Sequence, residues 1–158
     1  MAGRMAALEA QTPQILAGTF TVDQLPDPGP NLGKYARVSD LFGTKTDLVL
    51  SSKTGSLYFW QPVRPDYSAS MVADQNVTLT CLKTPSFIKL TGGLTAARTL
   101  TLSTQMAYPG ASFDITMAGV LNLFGLTIAG LSLGSTLSLL ANGRRRVYFD
   151  GTAWQSFA

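Results

Sequence analysis

Between Met71 and Gly143 the chain carries only five charged side chains: Asp74, Lys83, Lys89, Arg98 and Asp114. That scarcity limits what the segment can become. Charged residues usually make up about a quarter of a soluble domain, whereas here they are 13% of the whole chain and 46% of residues are hydrophobic. Little of this surface is suited to bulk water, so part of one copy's exterior is expected to lie against another copy. A lone chain with apolar, hydroxyl-rich strands and no helix to cover them would aggregate through open edges.

Within the segment the apolar residues alternate with a period of two. In "NVTLTCL", Val77, Leu79 and Cys81 oppose Thr78, Thr80 and Leu82, and in "FIKLTG", Phe87 and Lys89 oppose Ile88 and Leu90. "RTLTLST" sets Leu100 and Leu102 against threonines, and "SFDITMAG" sets Phe113, Ile115 and Met117 against Asp114 and Thr116. Short runs of this kind, punctuated by Gly, Pro or Asn, predict an all-β fold: a short-stranded sandwich, barrel or prism. Serine and threonine fill the second face of most strands, a face that can meet water or pack against identical chains. The chain closes on "RRRVYFDGTAWQSFA". Asp150-Gly151 between alternating runs predicts a two-residue type I′ hairpin pairing Phe149 with Thr152 and Val147 with Trp154.

Residues 1–70 differ in composition, with twelve charged side chains and six of the eight prolines. "LPDPGPNLG" and "QPVRPDY" read as turns and extended linkers. Between them, "TDLVLSS" and "GSLYFWQPV" predict one hairpin, with Leu48 and Leu50 on one strand face and Tyr58 and Trp60 on one face of the other. The expected organisation is an N-terminal anchoring or adaptor segment, residues 1–70, with little regular structure beyond this hairpin. A C-terminal β domain follows at 71–158. The start of the chain lacks the apolar run of a signal peptide because Glu9 interrupts it.

A membrane span is the rival reading for Ile115–Gly143, since no charge occurs there and three arginines follow. Five glycines, two asparagines and six serines or threonines make the stretch too polar. Leu131, Leu133, Leu137 and Leu139 also share a parity, which a helix does not require. The chemistry-bearing residues are few. With no histidine, His-based triads and His-built metal sites are excluded. Glu9 is the only glutamate, no Walker-type loop occurs, and no cofactor is expected. Cys81, the one cysteine, reads as a small buried hydrophobe. A net charge of +3 does not imply nucleic acid.

Several residues admit two readings. The triplet Asn76-Val77-Thr78 matches a glycosylation acceptor but sits inside a strand pattern. Arg144 and Arg146 point to one strand face, where they can meet phosphates together, and Arg145 to the other; the competing reading is that they protect a sheet edge or pair across a subunit boundary. Tyr58, Trp60, Tyr148 and Trp154 can pack in cores and interfaces or stack on sugar rings. Tyr148 and Trp154 are the candidate glycan contacts. Leu126, Ile128, Leu131, Leu133, Leu137 and Leu139 are the candidates for an apolar axis between copies.

"LGKYARVSDLFG", "YFWQPVRPDY" and the closing "RRRVYFDGTAW" resemble the small fibre, spike and decoration proteins of tailed bacteriophages. The resemblance is best in the C-terminal half. It implies a noncatalytic homotrimer in the virion, with N-terminal segments gripping a capsid or tail protein and β domains projecting outward. Tyr35, Arg37, Phe42, Trp60 and Arg64 are then the anchoring candidates, and a host-surface glycan a possible partner. No heptads or collagen-like repeats are present, which favours a compact knob over a shaft. The alternatives are a carbohydrate-binding recognition module and a small membrane-associated protein.

Overall fold

The computed structural model describes residues 14–64, 67–118, 124–140 and 142–157. The protein is all-β and its sheets do not close into a barrel. The leucine-rich segment forms strands, and among the described residues no helix is long and apolar enough to cross a membrane.

The first sheet takes β1 (Ile15–Phe20), β2 (Tyr35–Leu41), β3 (Lys45–Thr54) and β4 (Leu57–Pro62), in that order. The expected hairpin is β3–β4, turned at Gly55-Ser56 with Thr54 opposite Leu57. Leu48 and Leu50 share one face of β3 as expected, and the opposite face is the buried one: Val49 and Ser51 are buried, while Leu48 and Leu50 are half-buried. The cause is β2, which lies beside β3 and adds Ala36 and Val38 to the Val49 side. "YARVSDLF" therefore supplies an inner strand, with β1 parallel to it. This half also has a core of its own, made by Val22, Ala36, Val38, Leu41, Phe42, Val49 and Trp60 with Leu82 from the other half.

The remaining strands form a different architecture. β5 (Ser68–Val72), β7 (Phe87–Thr91) and β9 (Ser112–Met117) pair in parallel in one sheet. β6 (Val77–Leu79), β8 (Arg98–Leu102) and β10 (Leu126–Ala129) pair in parallel in another. The chain alternates between these sheets strand by strand, so it winds as a flattened coil of three turns. β11 (Leu137–Leu139), β12 (Arg144–Phe149) and β13 (Trp154–Ser156) then pair antiparallel and end the coil. The final orders are β11-β10-β8-β6 and β13-β12-β9-β7-β5.

Register stacks like on like. Val77, Leu100, Ile128 and Leu137 form one inward row, and Met71, Leu90 and Met117 another. The two sheets share one core, with Leu79, Leu100, Leu102, Leu126 and Ile128 facing Ile88, Leu90, Phe113, Ile115 and Trp154. Each such side chain contributes about 1.5–3 kcal/mol on burial. Close winding needs Gly130: at φ 93° its backbone passes so near that a Cβ would lie 2.6 Å from the Leu102 carbonyl oxygen.

The closing hairpin differs from its expected form. Phe149 pairs with Trp154 and Val147 with Ser156, leaving a four-residue loop. The Asp150 carboxylate accepts the backbone N–H groups of Thr152 and Ala153, both at 2.8 Å, and this side-chain turn replaces the type I′ geometry. The two halves are joined by contacts as well as by chain. Phe42, at φ 54°, donates its N–H to the Leu82 carbonyl (2.7 Å), Phe59 stacks on Tyr108, and Lys83 pairs with Asp23 at 2.7 Å.

Candidate functional site

Alternation along β5, β7, β9 and β12 turns Ala69, Ile88, Ile115 and Val147 inward and the residues between them outward. The outward face carries two rows. Ser70, Lys89, Thr116 and Arg144 stand side by side, and next to them Ser68, Phe87, Asp114 and Arg146. With neighbouring strands about 4.8 Å apart, each row spans roughly 15 Å. The rows bound an open groove of about 430 Å³.

The groove has a fixed end and a free end. Arg144 donates Nε–H to Asp114 Oδ1 at 2.7 Å and an Nη2 hydrogen to Oδ2, a bidentate grip. The Asp114 side chain is only 7% exposed under its partner, whereas that of Arg144 is 63% exposed. The carboxylate holds the guanidinium in its charged form, well above the usual arginine range. At the free end Lys89 is exposed and has no ion-pair partner among the described residues. Phe87 beside it is 45% exposed. Thr116 donates its hydroxyl to the Ile88 carbonyl, leaving its oxygen free to accept.

The outward face of the other coil sheet is entirely different. Thr78, Thr99, Thr101, Thr127 and Ser138 occupy it, and no charged side chain lies among them. The Asn76 side chain accepts the Thr99 N–H at 2.9 Å, so the glycosylation-like triplet closes a turn between coils. A third feature is an apolar cleft of about 410 Å³ where Pro26, Tyr58, Trp60 and Met106 meet between the halves. Trp60 donates its ring N–H to the Pro26 carbonyl at 2.8 Å.

The sequence-derived candidates scatter. Leu126, Ile128, Leu131 and Leu139 are buried in one chain's own core and Leu137 packs against it, so these five do not line an axis between copies. The five-stranded sheet β13-β12-β9-β7-β5 of the same chain covers them, a partner that strand parity alone does not reveal. Leu133 is fully exposed at φ 58°. Trp154 is 0% exposed between Phe113 and Phe149 and is not a glycan contact. Tyr148 is half-buried, its ring against Phe157.

Of the anchoring candidates, Phe42 and Trp60 belong to the first core, Tyr35 is half-buried, and Arg37 and Arg64 are exposed. β13 pairs with β12 only at Val147–Phe149, and the Phe157 N–H reaches the Arg146 carbonyl, so among the described residues Arg144 and Arg145 have a paired strand, β9, on one side. Arg146 lies over the Phe157 ring, and Arg145 donates to the Ser138 carbonyl. Burial pushes the Cys81 thiol up to about 12, so it stays protonated at neutral pH. The residues of the expected signal-peptide test, including Glu9, lie outside the described residues. Sequence reasoning did not single out the groove. The parity of Phe87 and Lys89 was visible, but their neighbours across strands come from coils some twenty to thirty residues away.

Compared with known proteins, the chain matches no family model, no curated protein and no solved structure.

Proposed function

We propose that this protein is a noncatalytic structural component of a phage-type virion, a knob or decoration assembled as a homotrimer that presents a polar β face for host attachment. The observation that carries this reading is the uncharged Thr78, Thr99, Thr101, Thr127 and Ser138 face beside β6, the edge strand of its sheet among the described residues. Interface centres are depleted of charge, and pairing or covering a bare strand edge removes a route to aggregation. The threonine face takes the role that the sequence alone would give to the leucines. Closed cyclic symmetry then limits growth. The exposed Arg37 and Arg64 with half-buried Tyr35 are the remaining contacts for a capsid or tail protein.

Light scattering on the purified chain tests the assembly. The expected mass is about three times 16.8 kDa, reduced to one chain mass by Thr101→Glu, which places a charge in the face. An unchanged mass in that variant, or a stable single-copy wild type at micromolar concentration, overturns the reading.

A further inference from the structure

We propose that the groove on the outer face of the five-stranded sheet binds an acidic oligosaccharide, with a sugar carboxylate held between Lys89 and Arg144 and a sugar ring resting on Phe87. The proposal rests on the attachment role above only in requiring that this face point outward from the assembly.

Charge decides the class of ligand. Among the side chains that line the groove, Lys89 and Arg144 against Asp114 leave a net of one positive charge, two minus one, while Arg146 at the end of the second row lies over the Phe157 ring and not in the lining. A nucleic-acid strand brings a phosphate at every nucleotide and needs a run of cations to displace its counterions. One surplus charge instead matches one carboxylate per sugar unit. Lys89 and Arg144 stand two strands apart in the same row, so their Cα atoms are separated by about 10 Å. The flexible lysine stem can close that gap around a carboxylate. The guanidinium is already oriented by Asp114, so it loses little further freedom when a ligand arrives.

The rest of the groove suits a sugar. Phe87 lies two residues from Lys89 on the same strand face, about 7 Å away, with its ring open to solvent. An exposed aromatic face takes the C–H side of a pyranose while leaving the hydroxyls free. Ser68, Ser70 and Thr116 supply short hydroxyl partners around it. β5 is the edge strand, so no further strand blocks that side among the described residues, and a chain of several sugars can run past it.

The test is calorimetric titration of the full chain with trigalacturonate, a hyaluronan tetrasaccharide and sialyllactose. The methyl ester of trigalacturonate serves as the neutral control and a twelve-nucleotide oligothymidylate as the phosphate control. At least one acidic saccharide should bind saturably. Lys89→Ala should weaken it roughly tenfold, the loss of one charge-assisted hydrogen bond, and Phe87→Ala should weaken it severalfold. Both are surface changes, so melting temperature and scattering mass should stay as in wild type. Thr101→Glu should alter the mass and leave sugar binding intact, which separates failure of this proposal from failure of the assembly reading. Absence of binding to all three saccharides, equal binding of ester and acid, or oligothymidylate binding with the same Lys89 dependence overturns the proposal.

Discussion

Replacing Trp154 with alanine should unfold more of the protein than any other single truncation in the coil. The indole is 0% exposed, 5.2 Å from the Phe113 ring and 5.4 Å from Phe149. Its N–H donates to the Ser103 carbonyl at 2.9 Å, tying β13 to the loop that follows β8 in the opposite sheet. Truncating a buried aromatic to alanine costs about 3–5 kcal/mol through lost transfer energy and the cavity left behind. A domain of this size holds only about 5–15 kcal/mol in total. At about 2–4 °C per kcal/mol, melting should fall by roughly 6–20 °C. Trp154→Phe keeps most of the ring and removes the donor, so it should lose about 1–3 kcal/mol from the unpaired carbonyl. Urea unfolding followed by circular dichroism measures both. A Trp154→Ala chain within about 1 kcal/mol of wild type would refute the claim that this ring clamps the two sheets.

Two further outcomes follow from backbone and charge. Gly130→Ala should cost about 3 kcal/mol, combining a left-handed φ with a Cβ 2.6 Å from the Leu102 carbonyl oxygen. Gly33→Ala, at φ 81° with open space around it, should cost about 1–2 kcal/mol; thermal melts giving the two equal effects would remove the close approach as a cause. The Asp74 carboxyl is held down at about 2 by the Thr95 N–H, Arg98 and the Thr95 hydroxyl. A depressed carboxylate stabilises the fold above its unfolded value near 3.8 and loses that contribution as pH falls towards 2. The stability gap between wild type and Asp74→Asn, measured by urea titration, should therefore shrink between about pH 4 and pH 2. A gap independent of pH there would show that the ionised carboxylate, with its Thr95 and Arg98 partners, contributes nothing.

The sequence by itself determined the class of structure and the faces of most coil strands. Leu79, Ile88, Leu90, Leu100, Leu102, Phe113, Ile115 and Met117 are all buried, as their alternation requires. That pattern is local, because neighbouring side chains on any strand must point to opposite faces. Tertiary structure decided which strands became neighbours. Parallel pairing joins Leu90 to Met117 and Leu100 to Ile128, partners that no turn signal connects. The same long-range pairing put Leu126 and Ile128 inside one chain instead of between copies. It brought Lys89 and Phe87 to one groove with Arg144, more than fifty residues away in the chain. Hydrophobic period fixes which side of a strand is dry, and only the winding of the chain fixes what lies against it.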